Sequence, residues 1–468
     1  MKYLSRYIVI IALLSTVLIN TSCSSMAGRY IGYRLSPDEI KTSGNINIDV
    51  TAYLGNPVTI YLDDYAVPHI QADNEYDLYF ALGYMQARDR RFQLEMLKML
   101  GYGRLRELVG DRDKTGILKQ TEIVSRMLGF YEDAEYLLQE APEEDIMLLE
   151  AFSAGINEAT KNEPIPMEFR ILDYDPNPWQ PEDSMVIFAM TSFGLCKNWE
   201  HELSRLELVV HQLRFGESID HALDIYKPMD KLPPHSLCGG PGGAELSGSH
   251  RRKGDIPAIA PELYEFLLDF VDDNPEPDME DPPADAGLVY RGMGNWYRGN
   301  SASNNWAVDG EWTGTGKSAL ATDSHMPHML PSMGYLFNLK KTGEYAAIGA
   351  GFAGLPAVAF GTNGSVAWGA TSNWADVTDL YVVKPIGNDS DYYEYMEEKV
   401  PFRKRVETFK IRQDDGSFTE ETFTVRETRH GVILNDFIDR IREGFPLLAL
   451  KRNRILGKPL SALRRVYH

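Results

Sequence analysis

The sequence predicts an α+β protein in which a helical part precedes a strand-rich part. Residues 75–230 repeat apolar residues at helical spacing and contain few helix breakers before Pro164. Residues 303–468 contain short alternating segments separated by turn residues, which is the pattern of strands. Between them, residues 231–302 hold a Gly-rich polar run and an acidic, Pro-rich run, neither typical of a core. We therefore expect a mostly helical portion (24–230), a linker, and a β-rich portion.

Composition restricts the class of protein. The chain has 468 residues, of which 43% are hydrophobic, enough for a large core. Its formal net charge of −21 argues against nucleic acid as a partner, because phosphate binding requires a basic surface. The acidic balance also suits divalent cations, although the solubility of an acidic exported protein explains it equally well.

The N-terminal residues 1–23 predict export. Lys2 and Arg6 precede an apolar run at residues 8–19, which has the length of a signal peptide rather than of a membrane span. The residues before Cys23 resemble a bacterial lipoprotein cleavage site, with Asn20 where that site usually has Leu. We expect a lipid anchor at Cys23 on a periplasmic or cell-surface membrane face, with plain secretion as the alternative.

The longest helical pattern spans residues 77–110. Its apolar residues recur at helix-like spacing: Leu78, Leu82, Met85, Phe92 and Met96. In the linker, residues 261–271 could form one further helix. The alternative for that whole stretch is an ordinary surface loop that contains a helix.

The strand-rich portion begins with a hairpin. Residues 303–323 contain a strand, a Gly-rich turn and a second strand. The turn is similar to a phosphate-binding loop, but five residues separate Gly310 from Gly316 where such a loop has four. A strand follows it rather than a helix, so we exclude a phosphate site. Further on, Asn363-Gly364 predicts a type I′ turn between two strands.

Ser303 opens the first strand of this hairpin. If the bond after Ala302 is cut, Ser303 becomes an N-terminal residue whose hydroxyl lies next to its own α-amine. An α-amine with a pKa of about 7.7–8.0 can act as a general base near neutral pH, so one residue supplies both nucleophile and base. The alternative is an ordinary serine in an edge strand.

Five segments occur in an order that resembles the penicillin acylase family of N-terminal-nucleophile hydrolases. They are residues 58–72, 77–110, 303–326, 351–356 and 371–381. The resemblance implies an αββα four-layer sandwich and an exported amidohydrolase precursor. That precursor would excise a spacer at 231–302, cleave itself before Ser303 and hydrolyse linear amides through an acyl-enzyme. Ala302 departs from the Gly that commonly precedes the nucleophile in this family.

The resemblance also implies roles for three catalytic residues. Ser303 is the nucleophile, and His325 orients the new α-amine or the substrate. Ser372 contributes its backbone N–H to the oxyanion hole, so its side chain matters little there. For His325 the alternative is a satisfied structural histidine, and for Ser372 a turn serine.

The same resemblance implies a structural calcium ion. Asp376, Thr378 through its carbonyl, and Asp379 match the calcium loop of the family, and Glu202 matches an acidic ligand from the helical portion. Oxygen ligands from two segments suit Ca²⁺. The alternative is solvated surface carboxylates.

By position in the family, four apolar residues would line the acyl site: Leu195, Cys196, Met326 and Phe360. Apolar residues of this kind are also ordinary core residues, which is the alternative. The substrate would be a small N-acyl amide, and penicillins, cephalosporins, acyl homoserine lactones and other N-acyl compounds all stay open.

The C-terminal portion raises a second hypothesis, a non-catalytic truncated lipoprotein. The resemblance implies a longer second chain, with an oxyanion-hole Asn beyond residue 468, and a heterodimer of the two portions after self-cleavage. No residue of this sequence takes the role of that Asn. On this hypothesis the chain would have no amidase activity.

Overall fold

The computed structural model describes residues 44–46, 55–111, 116–195, 198–214, 266–271, 303–326, 329–371, 377–387, 389–438, 441–442 and 444–452. Within these ranges, long helices dominate before Ser303 and strands dominate after it. The predicted α+β class is therefore confirmed. The predicted signal peptide with Cys23, and the predicted spacer except for 266–271, lie outside the described residues.

The helical portion contains eight described helices. They are α1 (Glu75–Gly101), α2 (Leu105–Val109), α3 (Ile117–Leu128), α4 (Phe130–Gln139), α5 (Glu143–Asn162), α6 (Met167–Leu172), α7 (Pro181–Gly194) and α8 (Asn198–Arg214). Asn74 caps the N-terminus of α1, because its side chain accepts a hydrogen bond from Asp77 N–H at 2.9 Å. No helix of the described residues is both long and apolar enough to cross a bilayer.

The described strands are β1 (Gly44–Ile46), β2 (Thr59–Leu62), β3 (Pro68–Ala72), β4 (Ser303–Val308), β5 (Ala319–Ser324), β6 (Gly334–Lys341), β7 (Tyr345–Phe352), β8 (Phe360–Thr362), β9 (Ala367–Trp368), β10 (Thr378–Val383), β11 (Pro385–Ile386), β12 (Asp389–Tyr395), β13 (Glu398–Pro401), β14 (Arg403–Arg412), β15 (Phe418–Thr428), β16 (Gly431–Ile433) and β17 (Leu447–Arg452). They form sheets of seven, five, three and two strands. The two-stranded sheet is the predicted hairpin, β4 with β5.

The seven-stranded sheet joins the two portions of the chain. Its order is β1-β2-β3-β6-β7-β8-β9, so strands from before and after Ser303 lie side by side. β3 and β6 pair in parallel, with His69 opposite Asn338 and Ala72 opposite Lys341. Helix α1 packs against both of these strands. This layer therefore fixes the helical portion against the start of the strand-rich portion.

Ion pairs join the helices to the five-stranded sheet, whose order is β10-β17-β16-β15-β14. Arg106, which is fully buried, contacts Glu122 of α3 at 2.6 Å and Glu421 of β15 at 3.1 Å. Arg126 of α3 contacts Glu407 of β14 at 3.0 Å. Burying a charge away from water costs free energy unless an opposite charge lies close to it, and the short distances in these pairs meet that requirement.

One predicted turn is wrong. Asn363 and Gly364 lie in a four-residue connection between β8 and β9, and Asn363 does not have the positive φ that a type I′ turn requires. Instead the Asn363 side chain accepts hydrogen bonds from Ser365 N–H at 2.9 Å and Val366 N–H at 2.8 Å. These side-chain hydrogen bonds stabilise the four-residue connection in place of the two-residue turn.

The predicted helix in the linker is helical over its described part, residues 266–271. Its Leu267 and Val271 are buried against Val209, Val210 and Leu213 of α8. This contact attaches a piece of the linker to the last helix of the helical portion.

Helices α1 and α5 cross at two glycines, which gives a stability prediction. A Cβ at Gly155 would lie 1.9 Å from the carbonyl oxygen of Phe80, and one at Gly83 would lie 2.1 Å from that of Phe152. Because backbone atoms cannot move aside easily, Gly155→Ala should lower the free energy of unfolding by about 1–3 kcal/mol. Chemical denaturation measures the change. Gly314→Ala, where no atom lies within 4 Å, is the control and should be neutral.

A second prediction concerns Glu122, which is buried beneath Arg106. Burial raises the pKa of Glu122 to about 6, although Arg106 N–H donates to it at 2.5 Å. The folded state therefore binds more protons than the unfolded state between the ordinary glutamate pKa and about pH 6. The contribution of Glu122 to stability must rise as pH falls through that window.

The test compares wild type with Glu122→Gln at pH 7, 6 and 5. From pH 7 to pH 5, we expect the wild type to gain on the order of 1 kcal/mol of unfolding free energy relative to the variant. Glu420→Gln, an exposed change on β15, should show no such gain. A relative loss at pH 5 in the first comparison would contradict the raised pKa.

Candidate active site

The β4–β5 hairpin places Ser303 at the end of a two-stranded ladder. Ser303 is opposite Ser324, and Asn305 is opposite Thr322. Because side chains alternate along a strand, these four side chains lie on one face of the hairpin. Ser303 and Ser324 are partly buried, whereas the other residues of both strands are exposed.

Gly369 and Ala370, in the chain segment 369–371, lie against this same face. A Cβ at Gly369 would be 2.6 Å from Thr322 Oγ1 and 3.3 Å from the side-chain amide of Asn305, so the backbone there touches the hairpin closely. With its amide oriented to satisfy both neighbours, Asn305 donates to Thr322 Oγ1 at 2.7 Å and accepts from Ala370 N–H at 3.2 Å. Ser372 lies outside the described residues, but Gly369 and Ala370, shortly before it, contact the Ser303 face.

His325 lies on the other face of the hairpin. Its Nε2 is 2.8 Å from Asp323 Oδ2 and 3.3 Å from Asn304 Nδ2. Asp323 and Asn304 are opposite one another in the ladder and alternate with the residues of the Ser303 face. The imidazole therefore does not meet the Ser303 side chain across the hairpin, and any action on Ser303 would go through its main chain.

Two of the predicted calcium ligands come from segments that meet. Glu202 Oε2 accepts a hydrogen bond from Leu380 N–H at 3.1 Å, which brings α8 to the strand that holds Thr378 and Asp379. Lys451 is the cross-strand partner of Asp379, so the two side chains lie on the same face of the five-stranded sheet. Asp376 lies outside the described residues. Within the described ranges, no three His, Cys, Asp or Glu side chains gather as a metal site would require.

The predicted acyl-site residues lie on three separate elements. Leu195 is 38% exposed at the C-terminal end of α7, and Met326 follows β5, with its N–H donating to Ser324 O at 2.9 Å. Phe360 begins β8 and packs edge-on against Phe352, with ring centroids 6.0 Å apart. Cys196 lies outside the described residues. The grouping of these residues as a pocket stays a prediction.

A cavity of about 530 Å³ opens at a different place, beside a kink in α1 at Arg90. It contains Asp89, which accepts a hydrogen bond from Tyr335 Oη at 2.7 Å and contacts Arg88 at 2.9 Å. Burial raises the pKa of Asp89. None of the residues that line this cavity belongs to the hairpin or to the predicted acyl site.

Sequence reasoning missed the residues that surround Ser303 in space. Asn305 and Thr322 bind the 369–371 segment, and Asn304 and Asp323 hold His325. The alternation of strand residues could have sorted them by face. The contact with Gly369 could not have been found, because it joins residues distant in sequence.

Comparison with known proteins gives a family match over most of the chain. The model of the family described as penicillin amidase matches residues 57–465. The acyl-homoserine lactone acylase QuiP of Pseudomonas aeruginosa PAO1 is 29% identical over 85% of this chain and 42% of its own length. The penicillin acylase 2 proenzyme of Pseudomonas sp. SE83 is 27% identical over 81% and 44%, and the penicillin G acylase of Escherichia coli is 23% identical over 81% and 45%. The chain thus spans less than half the length of these relatives.

Among solved structures, the thermostable penicillin G acylase of Alcaligenes faecalis matches in two crystal forms. The orthorhombic form gives a TM-score of 0.24 at 26% identity, over 29% of this chain and 23% of that chain. The tetragonal form gives 0.32 at 20% identity, over 37% and 90%.

Proposed function

This chain belongs to the penicillin amidase family, and we propose that it is the precursor of an N-terminal-nucleophile amidohydrolase. In this proposal the chain cleaves itself before Ser303 and then hydrolyses linear amides through an acyl-enzyme. The observation that carries the proposal is the position of Ser303, which begins a strand and shares one hairpin face with the contact to the 369–371 segment. The name of one relative, a proenzyme, agrees with maturation by cleavage.

The reaction follows from the two groups of the freed residue. Ser303 Oγ attacks the amide carbonyl carbon while its proton passes to the α-amine of the same residue. The tetrahedral intermediate collapses, the C–N bond breaks, and the leaving amine takes the proton. Water, deprotonated by the α-amine, then attacks the ester, and the carboxylic acid leaves as Oγ is protonated again.

The negative charge on the carbonyl oxygen requires hydrogen-bond donors placed in advance. We assign one of them to the backbone N–H of Ser372, because the chain leading to it lies on the Ser303 face. We assign His325 to the α-amine rather than to the substrate, because its imidazole is held on the opposite face.

The substrate in this proposal is a small N-acyl amide with an apolar acyl group. Leu195, Cys196, Met326 and Phe360 would surround that group, since all four are apolar. Acyl homoserine lactones and penicillins are the substrate classes to assay first, because the relatives' names contain them.

Export and lipid anchoring at Cys23 are part of the proposal and rest on residues 1–23 alone. After cleavage, the parallel pairing of β3 with β6 would hold the two portions together as a heterodimer.

Calcium is the proposed structural ion. Glu202 from α8 lies beside β10, so carboxylate and carbonyl oxygens from both sides of the cleavage point are near one another. Asp376, Thr378 and Asp379 would complete the ligand set, and Lys451 is the cross-strand neighbour of Asp379. Oxygen ligands from two chains would let the ion stabilise their association.

Cleavage before Ser303 is the first prediction from this proposal. Intact-mass measurement and N-terminal sequencing of the purified protein should show a new chain that begins Ser-Asn-Asn-Trp. Ser303→Ala should leave the precursor uncut, because no hydroxyl is available to attack. Ser303→Cys is the matched control and should still be cut, since a thiol can replace the hydroxyl. Cutting of Ser303→Ala at the same bond would refute the nucleophile assignment.

The second prediction concerns calcium removal. Chelation with EGTA should lower the melting temperature of the wild type, because an ion that binds only the folded state stabilises it. In Glu202→Gln the melting temperature should no longer respond to EGTA. Glu207→Gln, on the same helix, controls for the loss of a carboxylate and should respond like the wild type. Equal melting of the wild type with and without EGTA would exclude the site.

A further inference from the structure

The loop that follows β7 is buried although it has no regular structure. Ala353, Leu355, Ala357 and Val358 are each at most 7% exposed. A buried loop must find partners for its backbone N–H and C=O groups, because each unpaired group would cost free energy. Where this loop finds them decides what holds it in place.

Gln86 of α1 supplies two of these partners. Its side chain is fully buried, and both ends of its amide bind the same loop. Gln86 Nε2 donates to Leu355 O at 3.2 Å, and Gln86 Oε1 accepts from Gly354 N–H at 2.8 Å. One side chain of the helical portion therefore fixes two consecutive residues beyond the cleavage point.

Gly354 allows the loop to pack this closely against the helices. Its φ of +87° is a conformation that other residues avoid, and a Cβ there would lie 2.7 Å from Ile187 Cδ1 of α7. The loop is thus held between two helices of the helical portion, by hydrogen bonds to Gln86 and by contact with α7.

The loop in turn holds the end of the sheet that leads to the 369–371 segment. The indole Nε1 of Trp368 donates to Val358 O at 3.0 Å. Trp368 is also the β9 partner of Gly361 in β8, so it is fixed by both backbone and side chain. The next residue, Gly369, is the one that touches the hairpin at Thr322 and Asn305.

From this chain of contacts we propose that Gln86 is a positioning residue for the amide hydrolysis proposed above. Through the 353–358 loop and Trp368, it sets where the 369–371 segment lies relative to Ser303. The inference rests on the proposed function. A purely stabilising role for Gln86 is the competing explanation, and the two differ in what a substitution changes.

The experiment uses the full chain carrying Gln86→Met, which keeps a similar volume and removes both hydrogen bonds. The matched control is Gln93→Met on the same helix, which removes a hydrogen bond to Ser332 O. Melting temperature, extent of cleavage before Ser303, and kcat and KM for a chromogenic phenylacetyl anilide are measured for each. The assay runs well below the lowest melting temperature.

We expect Gln86→Met to lower kcat by about tenfold or more while KM changes little, since a misplacement of about 1 Å among the groups around a nucleophile can cost about 10²-fold in rate. Gln93→Met should keep the wild-type kcat. Trp368→Phe should lower kcat as well. The double variant with Gln86→Met should lose less than the product of the two single effects, because both act through one segment.

The outcomes separate this inference from the function it rests on. A wild type that is neither cut before Ser303 nor active would overturn the proposed function and the role of Gln86 with it. An active wild type whose Gln86→Met variant melts lower but keeps its kcat would overturn the positioning role alone. Multiplicative effects of Gln86→Met and Trp368→Phe would do the same.

Discussion

β3 and β6 pair in parallel, and through this pairing the chain before Ser303 and the chain after it share one sheet. Parallel neighbours cannot be joined by a tight turn, so a long connection must run between them, and here it contains the helices and the linker. Because α1 packs on both strands, the helix that carries Gln86 is fixed relative to β7 and its following loop. If the chain is cut before Ser303, the hydrogen bonds between β3 and β6 join the two resulting polypeptide chains.

The contacts between the two portions differ in kind from one sheet to the other. The seven-stranded sheet uses main-chain pairing and a buried amide, which are selective for geometry. The five-stranded sheet uses arginine and carboxylate side chains, and among them the guanidinium of Arg106, which contacts Glu122 and Glu421, is fully buried. Buried ion pairs add little net stability but penalise a wrong arrangement, so they suit an interface that must form in one way.

How well the sequence predicts a feature depends on how far apart in the chain the interacting residues lie. The helical spacing of Leu78, Leu82 and Met85 gives α1, where all three are buried, and the strand pattern after Ser303 gives the hairpin. The turn at Asn363-Gly364 failed because a side chain offered the backbone another set of hydrogen bonds. Among the described residues, a tight two-residue turn with positive φ at both positions occurs at Met396-Glu397, between β12 and β13, where neither residue type predicts it.

The candidate site divides in the same way. The sequence places Ser303 at the start of a strand and Glu202 on a helix, because both depend on local pattern. It does not show that Gly369 touches the hairpin or that Gln86 binds Gly354, since those contacts join residues far apart in the chain. The face occupied by His325 lies between these cases, because strand alternation predicts it once the register is known.

Side chains of β4 alternate between the two faces of the hairpin, so the position of the cut determines on which face the new N-terminal side chain lies. A chain that began one residue later would present Asn304 first, and its side chain points to the surface where His325 is held. A chain that began two residues later would return to the other surface, but about 7 Å further along the strand. The peptide bond that is broken therefore determines which side chain is N-terminal and which face of the hairpin it lies on. Moving the cut by one residue moves the terminal side chain to the opposite face.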